Sequence, residues 1–83
     1  MIAPAQIRAA RALLDINQTK LSEWASISVA TLKRIESSSG IRGAADTIRK
    51  IQDALEAAGV EFIAAEAGKG PGVRLKQSRD NRR

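Results

Sequence analysis

The stretch Asn17–Glu36, NQTKLSEWASISVATLKRIE, constrains the fold more than any other part of the chain. It contains two helix start signals, because Asn17 and Ser28 are both good N-cap residues. Each cap is preceded by an isoleucine and followed by a leucine at the fourth helical position, a spacing that forms the hydrophobic staple. The stretch therefore predicts two short helices, over residues 18–25 and 29–37, joined by a tight turn.

The two predicted helices have one apolar and one outward face. The positions expected to share a core are Leu21, Ala25, Ile27, Leu32 and Ile35. The outward face of the second helix then consists of Ser28, Val29, Ala30, Lys33 and Arg34. Small and cationic side chains beside an exposed helix start suit a helix that enters the major groove of DNA, so these five residues are the predicted base-reading set.

This pattern resembles the helix-turn-helix of phage-repressor-like regulators, the Cro/C1 or XRE family. The five apolar positions match those of the family motif, and its frequent opening glutamine falls on Gln18. Two residues depart from the motif, since Ser22 stands where alanine is usual and Ser26 where glycine is usual in the turn. Both are small, so we expect the geometry to survive, at a cost on the order of 1 kcal/mol for a left-handed serine at position 26. The resemblance covers residues 4–58.

The resemblance also implies roles for particular side chains. Val29 and Ala30 match positions that touch bases in the family, where apolar side chains can read only thymine methyl groups. In the family an arginine of the first helix pairs with a glutamate at the end of the recognition helix, and the matching residues are Arg11 and Glu36. A phosphate contact is the other interpretation of Arg11, and the ion pair is favoured.

Phosphate contacts are expected where a helix begins, because free backbone N–H groups and the helix dipole attract anions. Gln18, Thr19 and Lys20 lie at such a start, although Lys20 could equally be a solvated surface lysine. The further phosphate candidates are Thr31, which could instead bond within its helix, Ser37, and Arg42 in a loop that resembles the family's backbone-clamping segment.

The rest of the chain completes a single mainly α domain over residues 1–76. A first helix is predicted from Pro4 to Leu14 and a fourth over 44–58, ended by Gly59. Beyond it the hydrophobic period changes to two, which predicts a hairpin of residues 60–64 with 72–76. Residues 77–83 form a polar, basic tail that we expect to be disordered. With the resemblance, the predicted fold is a four-helix domain of the lambda-repressor-like type with a short C-terminal β-hairpin.

Three apolar side chains are expected at the surface or at a subunit interface. Trp24 lies at the edge of the buried face of its helix, where packing on the C-terminal segment or on a second subunit is favoured over stacking on DNA. An isolated two-stranded hairpin is marginally stable, and Ile63 would lie on its outer side. Ile63, Phe62 and Trp24 are therefore the predicted dimerisation residues.

Composition excludes several classes of function. The 83 residues contain no cysteine and no histidine, and their carboxylates show no paired spacing, so neither an enzyme nor a metal or cofactor site is expected. No signal peptide or membrane span is evident, which predicts a soluble cytoplasmic protein. The net charge of +5 lies wholly in the last fifteen residues, so DNA affinity of the helical part must come from local placement of charge.

Two functions follow as hypotheses. The first is a homodimeric, sequence-specific regulator of transcription, in particular a repressor that binds an inverted-repeat operator in double-stranded DNA. The second is an antitoxin or anti-activator that uses the helix-turn-helix shape to hold a protein partner. The near-neutral helical part and the apolar Val29 and Ala30 leave the second hypothesis open.

Overall fold

The structure, a computed structural model, describes residues 1–37 and 45–77. In chain order these ranges form α1 (Pro4–Leu14), α2 (Gln18–Ala25), α3 (Val29–Ser37), α4 (Ala45–Ala57), β1 (Val60–Ile63) and β2 (Gly72–Leu75). The prediction of a mainly helical fold with a short C-terminal antiparallel hairpin is confirmed. The predicted loop that contains Arg42, and the predicted tail beyond Gln77, lie outside the described residues.

The element boundaries follow the local sequence signals closely. The first three helices have the predicted bounds, whereas α4 ends one residue early and each strand is one residue shorter than predicted. Residue 44, where we expected α4 to begin, is outside the described ranges. Gly59 adopts a φ of +105°, which favours glycine, and it turns the chain from α4 into β1.

A single core joins the four helices and the start of the hairpin. Its fully buried large side chains are Ile7, Leu21, Leu32, Ile48, Ile51, Leu55 and Val60. The expected burial of the α2–α3 apolar set is confirmed, since four of the five residues are buried and Ile27 packs against the core. α3 packs on both α1 and α2, so it is held from the side opposite its outward face. α2 also packs on α4.

The hairpin packs one face on the helices and leaves the other to solvent. Val60 pairs with Leu75 and Phe62 with Val73, and these four side chains form the core-facing side. On the outer side the Arg74 guanidinium donates two hydrogen bonds of 3.1 Å to the Glu61 carboxylate directly opposite. These bonds and the charge of Arg74 lower the pKa of Glu61, and the carboxylate in turn raises the pKa of Arg74.

A glutamine of α1 anchors the far end of the hairpin. Gln6 is 6 % exposed, and its Nε2 donates to the carbonyl of Ile63 at 3.3 Å and to that of Gly72 at 2.9 Å. Its Oε1 accepts the backbone N–H of Ala3 at 2.7 Å, which caps the start of α1. The same side chain therefore satisfies a helix terminus and joins the last strand pair to the helical layer.

The loop between β1 and β2 contains a tight turn. Glu66 and Lys69 exchange two backbone hydrogen bonds of 3.0 and 2.9 Å around Ala67 and Gly68, both of which have positive φ. Two consecutive left-handed residues match the right-handed twist of a hairpin, so the turn is compatible with the twist of the two strands. Within the two described ranges, no helix combines the length and the apolar character needed to cross a membrane.

Candidate nucleic-acid interface

The turn between α2 and α3 is built as the sequence signals indicate. Ser26 adopts φ 58° and ψ 46°, the left-handed conformation expected for the position where the motif usually has glycine. Its N–H donates to the carbonyl of Glu23 at 3.2 Å, and the N–H of Ile27 donates to that of Ser22 at 3.0 Å. These bonds satisfy the last carbonyls of α2 while the chain reverses.

Both predicted N-caps form. Asn17 Oδ1 accepts the backbone N–H of Lys20 at 2.8 Å, and Ser28 Oγ accepts that of Thr31 at 3.0 Å. The Ser28 hydroxyl also donates to Thr31 Oγ1 at 2.8 Å, so the two hydroxyls form a closed pair at the start of α3. In this arrangement the Thr31 hydroxyl still has its own proton to donate to an external acceptor.

The outward face of α3 is not covered by the rest of the described chain. Ser28, Ala30, Lys33 and Arg34 are exposed, and Val29 is half-buried. The hairpin packs on α1 and α4 and leaves this face open. The five predicted base-reading residues therefore lie on one accessible helix surface.

Glu36, at the inner side of the last turn of α3, is the most heavily bonded side chain of this region. Its carboxylate is 3 % exposed, and it accepts two hydrogen bonds of 2.8 Å from the Arg11 guanidinium. Gln18 Nε2 donates to the same carboxylate at 3.0 Å, and the Arg8 guanidinium donates to the Glu36 backbone carbonyl. α1 and the start of α2 thus hold the end of α3 through one residue.

The ion pair between Arg11 and Glu36, which is the favoured interpretation of Arg11, is present in this network. The network also gives Gln18 a structural contact that the sequence did not indicate. One N–H of the Gln18 amide is used by Glu36, which leaves its other N–H and its carbonyl oxygen for a further ligand. The contacts made by Arg8 and Gln6 were likewise missed. The available signals were the three-residue spacing of Arg8 and Arg11 on α1 and a glutamine at the third position of that helix.

The remaining phosphate candidates surround the start of α2 and the end of α3. Thr19 and Lys20 are exposed, and Lys20 Nζ lies 3.9 Å from a Glu23 carboxylate oxygen, a long and largely solvated pair. Ser37 is exposed, and its hydroxyl donates to the Arg34 carbonyl at 3.2 Å. Arg42 cannot be placed, since it lies between the two described ranges.

A surface depression of about 470 Å³ brings α1, α2 and α3 together at this point. It is lined by Arg8, Arg11, Asn17, Gln18, Lys33, Glu36 and Ser37. Three of these residues are cationic and one is anionic, and residues 1–37 as a whole contain five basic against three acidic side chains. The lining of the depression therefore has an excess of positive charge, and Lys33 belongs both to this lining and to the outward face of α3.

The three predicted dimerisation residues do not form one surface. Trp24 is 44 % exposed and borders an apolar groove formed by Ala54, Ala57 and Ala58 of the C-terminal half of α4 and the residue that follows it. Ile63 is 37 % exposed on the outer side of β1, whereas Phe62 is partly buried against the core of its own chain.

Comparison with known proteins does not add a family to these observations. No protein-family model matches the sequence, and a search of curated proteins returned no match. Among the described residues, no group of three or more acidic side chains is placed to hold a metal ion.

Proposed function

We propose that this protein is a sequence-specific, double-stranded-DNA-binding regulator of transcription, and that α2 and α3 act as a helix-turn-helix of the lambda-repressor-like, Cro/C1 or XRE type. The observation that carries the proposal is the uncovered outward face of α3, where Lys33 and Arg34 follow one turn after a short, small-residue helix start. In this proposal α3 lies in the major groove and α2 crosses the sugar-phosphate backbone. Such a regulator acts in the cytoplasm.

The outward face offers two kinds of base contact. Arg34 and Lys33 can donate to guanine O6 and N7, and arginine does so through two parallel bonds. Val29 and Ala30 can contact thymine methyl groups but cannot accept or donate a hydrogen bond. An operator half-site that combines a guanine with nearby thymines fits this set of side chains.

Phosphate contacts would fix the position of α3 in the groove. The start of α2 presents Thr19 and Lys20 beside free backbone N–H groups, and Gln18 retains one N–H for a phosphate oxygen. Because Glu36 holds Gln18, Arg8 and Arg11 in place, these contacts need little reordering on binding. Arg42 stays a candidate from the sequence alone.

The proposal includes two copies of the chain, each with α3 in one of two successive major grooves. The half-sites of the operator would then form an inverted repeat with centres roughly 34 Å apart. Repression would follow when the bound dimer occupies a promoter.

Binding to the DNA upstream of the gene, followed by footprinting, tests this proposal. Fluorescence anisotropy of the protected duplex should give a loss of roughly 5- to 150-fold in affinity for Arg34→Ala, which corresponds to about 1–3 kcal/mol for one base contact. Arg49→Ala is the matched control, because Arg49 is an exposed cation of α4 outside the proposed interface. Equal losses for the two variants would contradict the proposed orientation.

The salt dependence separates base contacts from phosphate contacts. Replacing Lys20 by alanine should weaken binding to specific and non-specific duplexes alike, and should reduce the slope of log affinity against log salt by about 0.9. Arg34→Ala should instead reduce the ratio of the affinity for the specific duplex to the affinity for a non-specific duplex. A Lys20→Ala variant with an unchanged slope would remove the start of α2 from the DNA interface.

A second function is favoured by one observation, the exposed Trp24 beside the alanine-lined groove of about 360 Å³. An antitoxin or anti-activator could hold a protein partner at this groove. A stable complex with a protein partner that depends on Trp24, together with the absence of a salt-sensitive shift of duplex DNA, would favour this function. A repressor and an antitoxin role can also exist in one chain.

A further inference from the structure

The hairpin presents two edges of different chemistry. The Lys76 N–H donates to the Gly59 carbonyl at 2.8 Å, so residues 59 and 76 form a hydrogen-bonded pair. Bonded pairs alternate along an antiparallel ladder, which makes 61 with 74 and 63 with 72 the next ones. The strand residues between these pairs direct their backbone N–H and C=O groups outward: Val60 and Phe62 at the β1 edge, and Val73 and Leu75 at the β2 edge. Ala64 follows β1 directly, and Pro71 directly precedes β2. No contact within the described part of the chain satisfies the outward groups of residues 62 and 73.

The β2 edge carries two features that prevent strand addition. Pro71 directly precedes β2 and has no N–H to donate to an added strand. Lys76, which directly follows β2, is an exposed cation and would approach its counterpart in a neighbouring β2 strand. α1 also packs beside β2.

The β1 edge carries neither feature. Its residues from Phe62 to Ala65 include no proline and no charged side chain. Two acidic residues flank this segment: Glu61, which forms an ion pair with Arg74 in the same hairpin, and Glu66, which begins the turn. Ile63 and Ala64 are exposed here, and Ile63 is one of the few exposed large apolar side chains of the described chain. An unprotected edge with an exposed isoleucine is a template for another strand.

We propose that the β1 edges of two copies pair in antiparallel fashion around a two-fold axis at Ile63. Phe62 of each copy would exchange hydrogen bonds with Ala64 of the other, and the two Ile63 side chains would face each other directly. This register pairs Phe62, whose backbone groups point outward, with Ala64, the first residue beyond β1. The pairing extends β1 by one residue, so that Ala64 also directs its backbone groups outward. It also needs no contact at Val60, which is fully buried. The product is a four-stranded sheet in place of a marginal two-stranded hairpin.

The side chains on the inner face also fit this register. Phe62 of one copy would lie opposite the small Ala64 of the other, beside a depression of about 360 Å³ that Ile2, Phe62 and Ala64 help to line. A large side chain thus meets a small one over an apolar recess. Glu61 would lie opposite Ala65 of the second copy, so the register places no two like charges directly opposite each other.

This inference deepens the proposed function, because it supplies the dimer on which the inverted-repeat operator rests. The experiments use the full chain without DNA, so dimerisation can fail while DNA binding holds, and the reverse. The chain has no cysteine, so a single introduced cysteine reports one position only.

Disulfide formation tests the register. In the proposed pairing the two Cα atoms of residue 63 lie about 4.5 Å apart, within the range of roughly 4.4–6.8 Å that a disulfide needs. Under mild oxidation Ile63→Cys should form a covalent dimer at least tenfold faster than Gly72→Cys. Gly72 is the matched control because it pairs with Ile63 on the other strand and has nothing within 4 Å of an added Cβ. Equal rates for the two variants would overturn the proposed edge.

The molar mass in solution tests the surface. The unmodified chain should have twice its 8.9 kDa mass, and Ile63→Lys should return it to 8.9 kDa at the same concentration. Trp24→Lys removes a similarly exposed apolar side chain from the other candidate surface and should leave the dimer intact. Thermal unfolding would establish that both variants fold. A monomeric unmodified chain, or a dimer lost only with Trp24→Lys, would overturn the proposal.

Discussion

Replacement of Glu36 by glutamine should destabilise the fold far more than it changes DNA sequence preference. The carboxylate is 3 % exposed and accepts two bonds of 2.8 Å from Arg11 and one of 3.0 Å from Gln18. Removing one charge of a buried pair leaves the other poorly satisfied, at a cost of about 3–5 kcal/mol. Because the Arg11 side chain is 21 % exposed and partly hydrated, the lower end applies, about 3 kcal/mol.

That loss is large for a chain of this size. At about 0.05–0.15 kcal/mol per residue the whole domain has roughly 4–12 kcal/mol of stability. A decrease of about 3 kcal/mol should lower the melting temperature by roughly 12–24 °C. Urea unfolding followed by the fluorescence of Trp24, the single tryptophan of the chain, measures the change.

Glu61→Gln is the matched control for this experiment. It also breaks a carboxylate–guanidinium pair with two hydrogen bonds, but both partners are largely solvent-exposed. Such pairs add little to stability, so the urea midpoint should move much less than with Glu36→Gln. Equal shifts of the two midpoints would refute the reasoning that burial makes the Arg11–Glu36 pair important. Under conditions where Glu36→Gln is folded, its ratio of specific to non-specific DNA affinity should match that of the unmodified chain.

Three further predictions concern the turn, the hairpin anchor and the surface ion pair. Ser26→Gly removes the strain of a left-handed serine and should raise the free energy of unfolding in urea by roughly 0.5–1 kcal/mol. The control Ala9→Gly, on the exposed side of α1, should lower it by a similar amount. A Ser26→Gly variant less stable than the unmodified chain would show that Ser26 is not strained. Gln6→Leu removes both bonds to the last strand pair and should speed hydrogen exchange in the hairpin while α2 and α3 stay protected; uniform acceleration would show that the anchor is not local. Because Arg74 lowers the pKa of Glu61, the stabilisation from this pair is present above the ordinary glutamate pKa and is lost as pH falls through the lowered value. In Arg74→Gln the pKa of the Glu61 carboxyl group, followed by NMR, should therefore rise. An unchanged Glu61 titration would contradict the ion pair.

The helices were predictable because their signals are local. The caps at Asn17 and Ser28 act on N–H groups two or three residues away, so both could be identified before any fold was known. The change to a two-residue period after Gly59 likewise identified the hairpin and its core-facing side. The stop of α4 one residue early reflects the difficulty of placing a helix end from sequence, since the last turn frays.

The candidate interface was predictable in part. The outward residues of α3 follow from helical periodicity, and the structure leaves them accessible. The Arg11–Glu36 pair was expected only through a family resemblance, because its partners lie 25 residues apart and no local pattern connects them. The contacts of Gln18 and Arg8 with Glu36 were not expected at all, since they depend on how three helices meet.

The amino-acid sequence by itself determined where the helices begin, which side chains they bury and which face of α3 stays outward, because caps, staples and periodicity act over a few residues. Only the tertiary structure decided that Glu36 collects donors from α1 and α2, and that Gln6 joins the hairpin to α1. It also decided that Ile63 and Trp24 belong to separate surfaces. The physical reason is range: a hydrogen bond or an apolar contact between distant residues exists only once packing has brought its partners within a few ångströms.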